Sequence, residues 1–307
     1  MTSNRNTGVR GLLATFATLL ALLAPHSAAA GQASALDTSR IVSVGGDVTE
    51  ILYALGLEDK IVAIDSTSVF PADALKTKKN LGYMRALSTE GVLSAAPTLI
   101  IASAKAGPPD VVAALKSNSV PYVAIDGADS PDGVGARIRA VASAVGASAK
   151  ADEIIAASEK AFKELADQRA QIKRPARVLF LLSAQNGRAT AAGTKTAADE
   201  VIKLAGGENV AAALEGYKPL SDEAAAAMAP DVILVMNRSQ QPGQSQDPLE
   251  KQIQALKGLS NSPAVRNNRV VEVDGAALLQ FGPRTASAAR DLIKVLHRAP
   301  DVTAGGQ

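Results

Sequence analysis

The chain has 307 residues, 47% of them hydrophobic and 20% charged, with a formal net charge of +2. That is room for two ordinary domains and too much apolar content for a disordered chain. The absence of cysteine excludes disulfides, thiolate zinc sites, iron–sulfur clusters and a cysteine nucleophile, and two histidines, His26 and His297, exclude a histidine-cluster metal site.

At the start of the chain, Arg5 and Arg10 precede an apolar run from Leu12 to Leu23, followed by Pro25 and the small-residue stretch Ala28-Ala29-Ala30. This is the pattern of an export signal, residues 1–30, cleaved after Ala30. The run falls short of the ~20 residues that span a bilayer, and no cysteine follows it to carry a lipid, so the mature chain is expected to be free in solution. Removing residues 1–30 takes away two arginines and no acid, which leaves 30 basic and 30 acidic residues. Such a neutral chain is not expected to bind nucleic acid. A free, exported chain fits a periplasm.

From Ile41 onward, short β-branched runs alternate with longer helical patterns, the signature of βαβ units and a mostly parallel sheet. Strands are predicted at Ile41 to Val44, Ile61 to Ile64, Leu99 to Ala102, Tyr122 to Ile125, Val178 to Leu182, Val232 to Val235 and Val270 to Val273. Ser148 to Ile172 is rich in Ala, Glu, Lys and Gln, lacks Gly and Pro, and repeats apolar residues at helical spacing before Lys173-Arg174-Pro175 ends it. A helix of about 25 residues would be about 37 Å long, a stiff connection. The polar stretch Arg238 to Asp247 reads as a surface loop.

The chain also resembles itself. Leu87-Ser88-Thr89-Glu90 leads to Ala96-Pro97-Thr98-Leu99, and Leu220-Ser221-Asp222-Glu223 leads to Ala229-Pro230-Asp231-Val232 at the same spacing; Tyr122 to Gly127 then parallels Val270 to Gly275. Two copies of one plan follow. The expected fold is α/β: two Rossmann-like lobes, residues 31–147 and 174–307, joined by one long helix within 148–173, with a ligand cleft between the lobes.

No nucleophile elbow, Walker loop or dinucleotide fingerprint is present; Gly45-Gly46 is an ordinary strand-to-helix turn. His297 falls in a C-terminal helix, which leaves a Ser-His pair without a base. A binding protein is expected rather than an enzyme, with an exported hydrolase the distant alternative.

The segment Gly82-Tyr83-Met84-Arg85-Ala86-Leu87-Ser88, with Val48-Thr49-Glu50-Ile51, Ala191-Ala192-Gly193, Glu215-Gly216-Tyr217-Lys218-Pro219 and Phe281-Gly282-Pro283-Arg284-Thr285, resembles the periplasmic haem-binding proteins of haem ABC importers. Those belong to a wider class that also serves siderophores and cobalamin. The resemblance implies that Tyr83 is the axial ligand of ferric haem (haem b), carried as cargo and not as a catalytic cofactor, and that Arg85 supports it. A phenol, with an ordinary pKa of ~10, must lose its proton to bind iron well, and both ferric iron and a nearby guanidinium favour the anion. Tyrosinate is one of the known haem ligands.

The internal repeat sets Tyr217 before Leu220-Ser221 almost as Tyr83 precedes Leu87-Ser88, so both tyrosines are expected to face the cleft, Tyr217 at the far face of the haem. Arg188, Lys195 and Arg284 are expected to pair with propionates. Some relatives carry a histidine after the strand that opens the second lobe; here Ser183 to Arg188 has none, and one five-coordinate haem per monomeric protein is expected. The resemblance further implies a permease dimer with its ATPase as partner, docked by Asp110 and Glu250 on the tips of the lobes, and an outer-membrane haem receptor system upstream. A ferric-siderophore or cobalamin carrier of the same fold is the nearer alternative.

Overall fold

The computed structural model describes residues 36–237 and 247–298. The predicted export signal and the stretch Arg238 to Asp247, apart from Asp247 itself, lie outside the described residues.

The first lobe runs through β1 (Ile41–Val44), α1 (Gly46–Ala54), β2 (Ile61–Ile64), α2 (Ala74–Thr77), β3 (Lys79–Asn80), α3 (Thr89–Leu93), β4 (Leu99–Ser103), α4 (Pro109–Lys116), β5 (Tyr122–Ile125) and α5 (Pro131–Ala144). Its strands form one parallel sheet in the order β3-β2-β1-β4-β5. Parallel pairing needs crossover helices that cover both faces, so β1 and β4 are buried throughout and read as unbroken apolar runs.

The connecting helix, α6 (Ser148–Arg169), has 22 residues and buries the stripe Ala151, Ile155, Ser158, Phe162 and Leu165. It stops three residues before the predicted end. Gln171 and Ile172 instead donate to the carbonyls three residues back, on Gln168 and Arg169, and Ile172 turns in so closely that a Cβ on Gly206 would lie 2.4 Å from its Cδ1. Packing of one apolar side chain against the second lobe thus overrides a helix-favouring sequence.

The second lobe comprises β6 (Ala176–Gln185), β7 (Arg188–Ala192), α7 (Ala197–Leu204), β8 (Gly207–Asn209), β9 (Tyr217–Leu220), α8 (Asp222–Met228), β10 (Val232–Met236), α9 (Leu249–Gln254), α10 (Pro263–Arg266), β11 (Val270–Val273), α11 (Gly275–Leu279) and α12 (Thr285–His297). The sheet order is β11-β10-β6-β7-β9, with β8 pairing the first residues of β6 in parallel. β6 and β7 form an antiparallel hairpin closed by Asn186 and Gly187, both at positive φ, as a two-residue loop of the I′ kind requires.

The repeat is carried by the backbone itself. Ser88 caps α3 and Ser221 caps α8, each accepting from the amide three residues on. Ala96 and Ala229 both take positive φ before a proline. Arg40 donates to Ala95 and Ala96 carbonyls, and Arg177 to the Met228 carbonyl, in matching places.

A single apolar core passes from α5 through α6 to α7 and α12, joining Ile138, Val141, Phe162, Leu165, Val201 and Leu292. No helix among the described residues is long and apolar enough to cross a membrane.

Candidate functional site

The carboxyl ends of β1, β2, β4, β10 and β11 face a cleft of about 790 Å³ between the two sheets, where ligands of open α/β folds bind and within the size range of small-molecule sites. Tyr83, Met84 and Arg85 enter it from the first lobe, and Lys195, Tyr217 and Met236 from the second.

Tyr83 opens a tight turn in which the Ala86 amide donates to the Tyr83 carbonyl at 2.8 Å. Backbone bonds hold the turn on both sides. The Ser66 amide donates to the Gly82 carbonyl at 2.8 Å, and the Gly107 amide to the Met84 carbonyl at 2.9 Å. Gly82 has φ 83° with open space where a Cβ would stand, so the backbone conformation, not crowding, requires glycine there. The tyrosine is 42% exposed. Among the described residues, the side chains of Tyr83 and Arg85 form no hydrogen bond or ion pair.

The loop behind this turn is organised by Asp65, which is fully buried and was not singled out in the sequence. Its carboxylate accepts from the amides of Gly45 and Thr67 and from the hydroxyls of Thr67 and Ser68. The polar run Asp65-Ser66-Thr67-Ser68 directly after a buried strand was the available signal.

On the opposite wall, Tyr217 begins β9, in register with Ala192, and is 36% exposed. Lys195 takes φ 59° and pairs at 3.0 Å with Glu215, both side chains well exposed. Thr196 caps α7 by accepting from the Asp199 amide, so that the positive ends of α1 and α7 both meet the cleft.

A chain of charges runs along the first lobe: Lys105 to Asp129 at 2.7 Å, Asp129 to Arg137 at 2.9 Å and Arg137 to Asp47 at 3.5 Å. Lys105 and Lys195 therefore already have acids, and Arg85 is the cleft-lining cation without one among the described residues. Burial pushes the Asp47 carboxyl up to about 6, against the opposing pull of Arg137. Between about pH 4 and this value the folded chain keeps a proton that the unfolded chain has lost. The stability from this group therefore falls by about 3 kcal/mol as pH rises through that window. Asp47→Asn is expected to flatten that segment of the curve in urea titrations; a slope identical to the parent's would refute the assignment.

Two other predicted cations stand elsewhere. Arg188 lies at the hairpin end of β7, four residues along the strand from the position that pairs with Tyr217, and is outside the cleft lining. Arg284 is committed to the first lobe: its amide and Nε donate to the two carboxylate oxygens of Glu50 at 2.8 and 2.9 Å, and its guanidinium lies 3.6 Å from the Phe70 ring centroid. It joins the lobes and is outside the cleft lining. Asp110 and Glu250 are exposed in the first turns of α4 and α9, which follow β4 and β10, the strands related by the repeat.

Residues 41–277 match the family model described as periplasmic binding protein. The chain is a periplasmic binding protein. This periplasmic binding protein is similar in structure to the periplasmic heme-binding protein RhuT from Roseiflexus sp. RS-1, with 36% identity and a TM-score of 0.79, covering 84% of this chain and 98% of that one. It is also similar to the periplasmic heme-binding protein BhuT, solved in complex with two hemes, at 35% identity and a TM-score of 0.76, over 84% and 97% of the two chains. In sequence it is 26% identical over 257 residues to the vitamin B12-binding protein of Vibrio parahaemolyticus serotype O3:K6, covering 81% of this chain and 86% of that one.

Proposed function

We propose that this periplasmic binding protein captures ferric haem in the interlobe cleft, with the Tyr83 phenolate as axial ligand, and delivers it to an ABC permease. The observation that carries the reading is the pairing of an exposed tyrosine with an uncompensated arginine on one braced turn facing the cleft. Tyrosinate is one of the known haem ligands and favours the ferric state found outside the cytoplasm. The apolar side chains of Met84, Leu182, Met236 and Leu279 offer cover for the porphyrin faces. Tyr217 meets the far face, and the propionates lie toward Arg85, Lys195 and the helix ends. The similarity to RhuT and BhuT supports this cargo.

In this reading the export signal is cleaved near Ala30, the mature monomer is free in the periplasm, and Asp110 and Glu250 meet basic residues of the permease dimer. One haem is bound, since Ser183 to Arg188 supplies no second ligand. The similarity to BhuT makes the count itself worth measuring.

The test is an absorption titration of residues 31–307 with ferric haem. A saturable Soret shift with charge-transfer bands, complete at one equivalent, is the expected result; two equivalents would overturn the count. A spectrum that stays that of free haem overturns the cargo. The similarity to the B12-binding protein makes cobalamin the next ligand to titrate.

A further inference from the structure

The loop that braces the Tyr83 turn is also the loop that the second lobe grips. Gln280, directly after α11, donates from Nε2 to the Thr67 carbonyl at 2.8 Å, across 213 positions of sequence. Its amide fills the space over the start of α1: a Cβ on Gly46 would stand 2.1 Å from Oε1 and 2.4 Å from Nε2. The grip is therefore specific in shape as well as in hydrogen bonding.

From Thr67 two short paths lead to the turn. The neighbouring Ser66 amide holds the Gly82 carbonyl, immediately before Tyr83. Thr67 Oγ1 lies 2.5 Å from Asp65 Oδ2 and 3.7 Å from Met84 Sδ, immediately after Tyr83. The hydroxyl has one proton and donates it in the hydrogen bond to the carboxylate; the sulfur then rests in contact against the oxygen. The residues on either side of Tyr83 thus depend on a loop whose outer carbonyl is held from the other lobe.

We propose that Gln280 is a positioning residue that couples the second lobe to the ligand-bearing turn, keeping the Tyr83 phenol aligned on the metal while the lobes are together and letting it loosen when they part. This rests on the haem reading above. Residues that orient a ligand from behind typically change metal affinity by 10- to 100-fold when altered.

The test uses Gln280→Met, which keeps the length of the side chain but has no donor, together with Gly46→Ala, which pushes the native glutamine away. Both are expected to speed haem dissociation about 10-fold and to move the charge-transfer band, with the melting temperature of Gln280→Met lowered by no more than a few degrees. In a Tyr83→Ala background Gln280→Met is expected to have no further effect, because the alignment it supplies has lost its object. Parent-like dissociation and spectrum in Gln280→Met overturn the inference alone. An equal effect with and without Tyr83 also overturns it, since that identifies mere packing. A parent that binds no haem overturns the haem reading and this inference with it.

Discussion

Replacing Tyr83 with alanine or phenylalanine is expected to remove the charge-transfer bands of the ferric haem complex and to weaken binding by more than about 100-fold, beyond what loss of a supporting residue costs. Phenylalanine is the sharper of the two because it keeps the ring and its contact area and removes only the oxygen. Tyr83 is 42% exposed and its hydroxyl has no partner among the described residues. Folding stability is therefore expected to stay within about 0.5 kcal/mol of the parent, as for ordinary surface changes. Unchanged melting beside a lost spectrum separates a ligand from a structural tyrosine. If Tyr83→Phe keeps the parent spectrum, the iron takes its oxygen elsewhere, and Tyr217 is the tyrosine that faces the same cleft from the other wall.

The strands legible in the sequence are apolar, β-branched runs, whether buried throughout, as β1 and β4 are, or partly exposed, as β5 and β11 are. β1, β4 and β10 have no polar face to interrupt their apolar runs. The four unpredicted strands are short or polar: β3 is Lys79-Asn80, β8 is Gly-Glu-Asn, β9 is an exposed run containing Pro219, and β7 is mostly alanine and threonine. β7 still had a local signal, since Asn186-Gly187 is the strongest two-residue hairpin sequence, in a stretch otherwise read only for its missing histidine.

The cleft was legible where it is built from local sequence. Tyr83 and Arg85 sit on one turn, and the repeat relates Tyr217 to them. What stayed hidden depends on chain ends brought together by packing. Glu50 takes the guanidinium of Arg284, 234 positions away, and nothing local to either residue announces that pairing. The same holds for Gln280 on Thr67 and for Arg137, which sits in an unremarked helix yet touches both lobes.

Arg137 is where disruption is expected to cost the most. Its side chain is 2% exposed. It donates to the Phe281 and Gly127 carbonyls and pairs with Asp129 and Asp47. Arg137→Met keeps the bulk but leaves the buried Asp47 without its counter-charge, while Asp129 retains Lys105. Breaking a buried pair from one side costs about 3–5 kcal/mol, which at this size lowers the melting temperature by about 10 °C. With Arg137 gone, desolvation acts on Asp47 unopposed by that charge and its carboxyl rises above its present value of about 6. The variant then regains stability by protonation between about pH 7 and 6, where the parent is nearly flat, and the gap between them narrows. Asp47→Asn combined with Arg137→Met is expected to recover part of the loss, because neutral, space-filling replacement of both partners removes the stranded charge. Melting followed by circular dichroism at the two pH values decides it: a loss under about 1 kcal/mol, or a gap that widens on acidification, would mean that solvent already screens Asp47 and that Phe281 is held to the first lobe by packing alone.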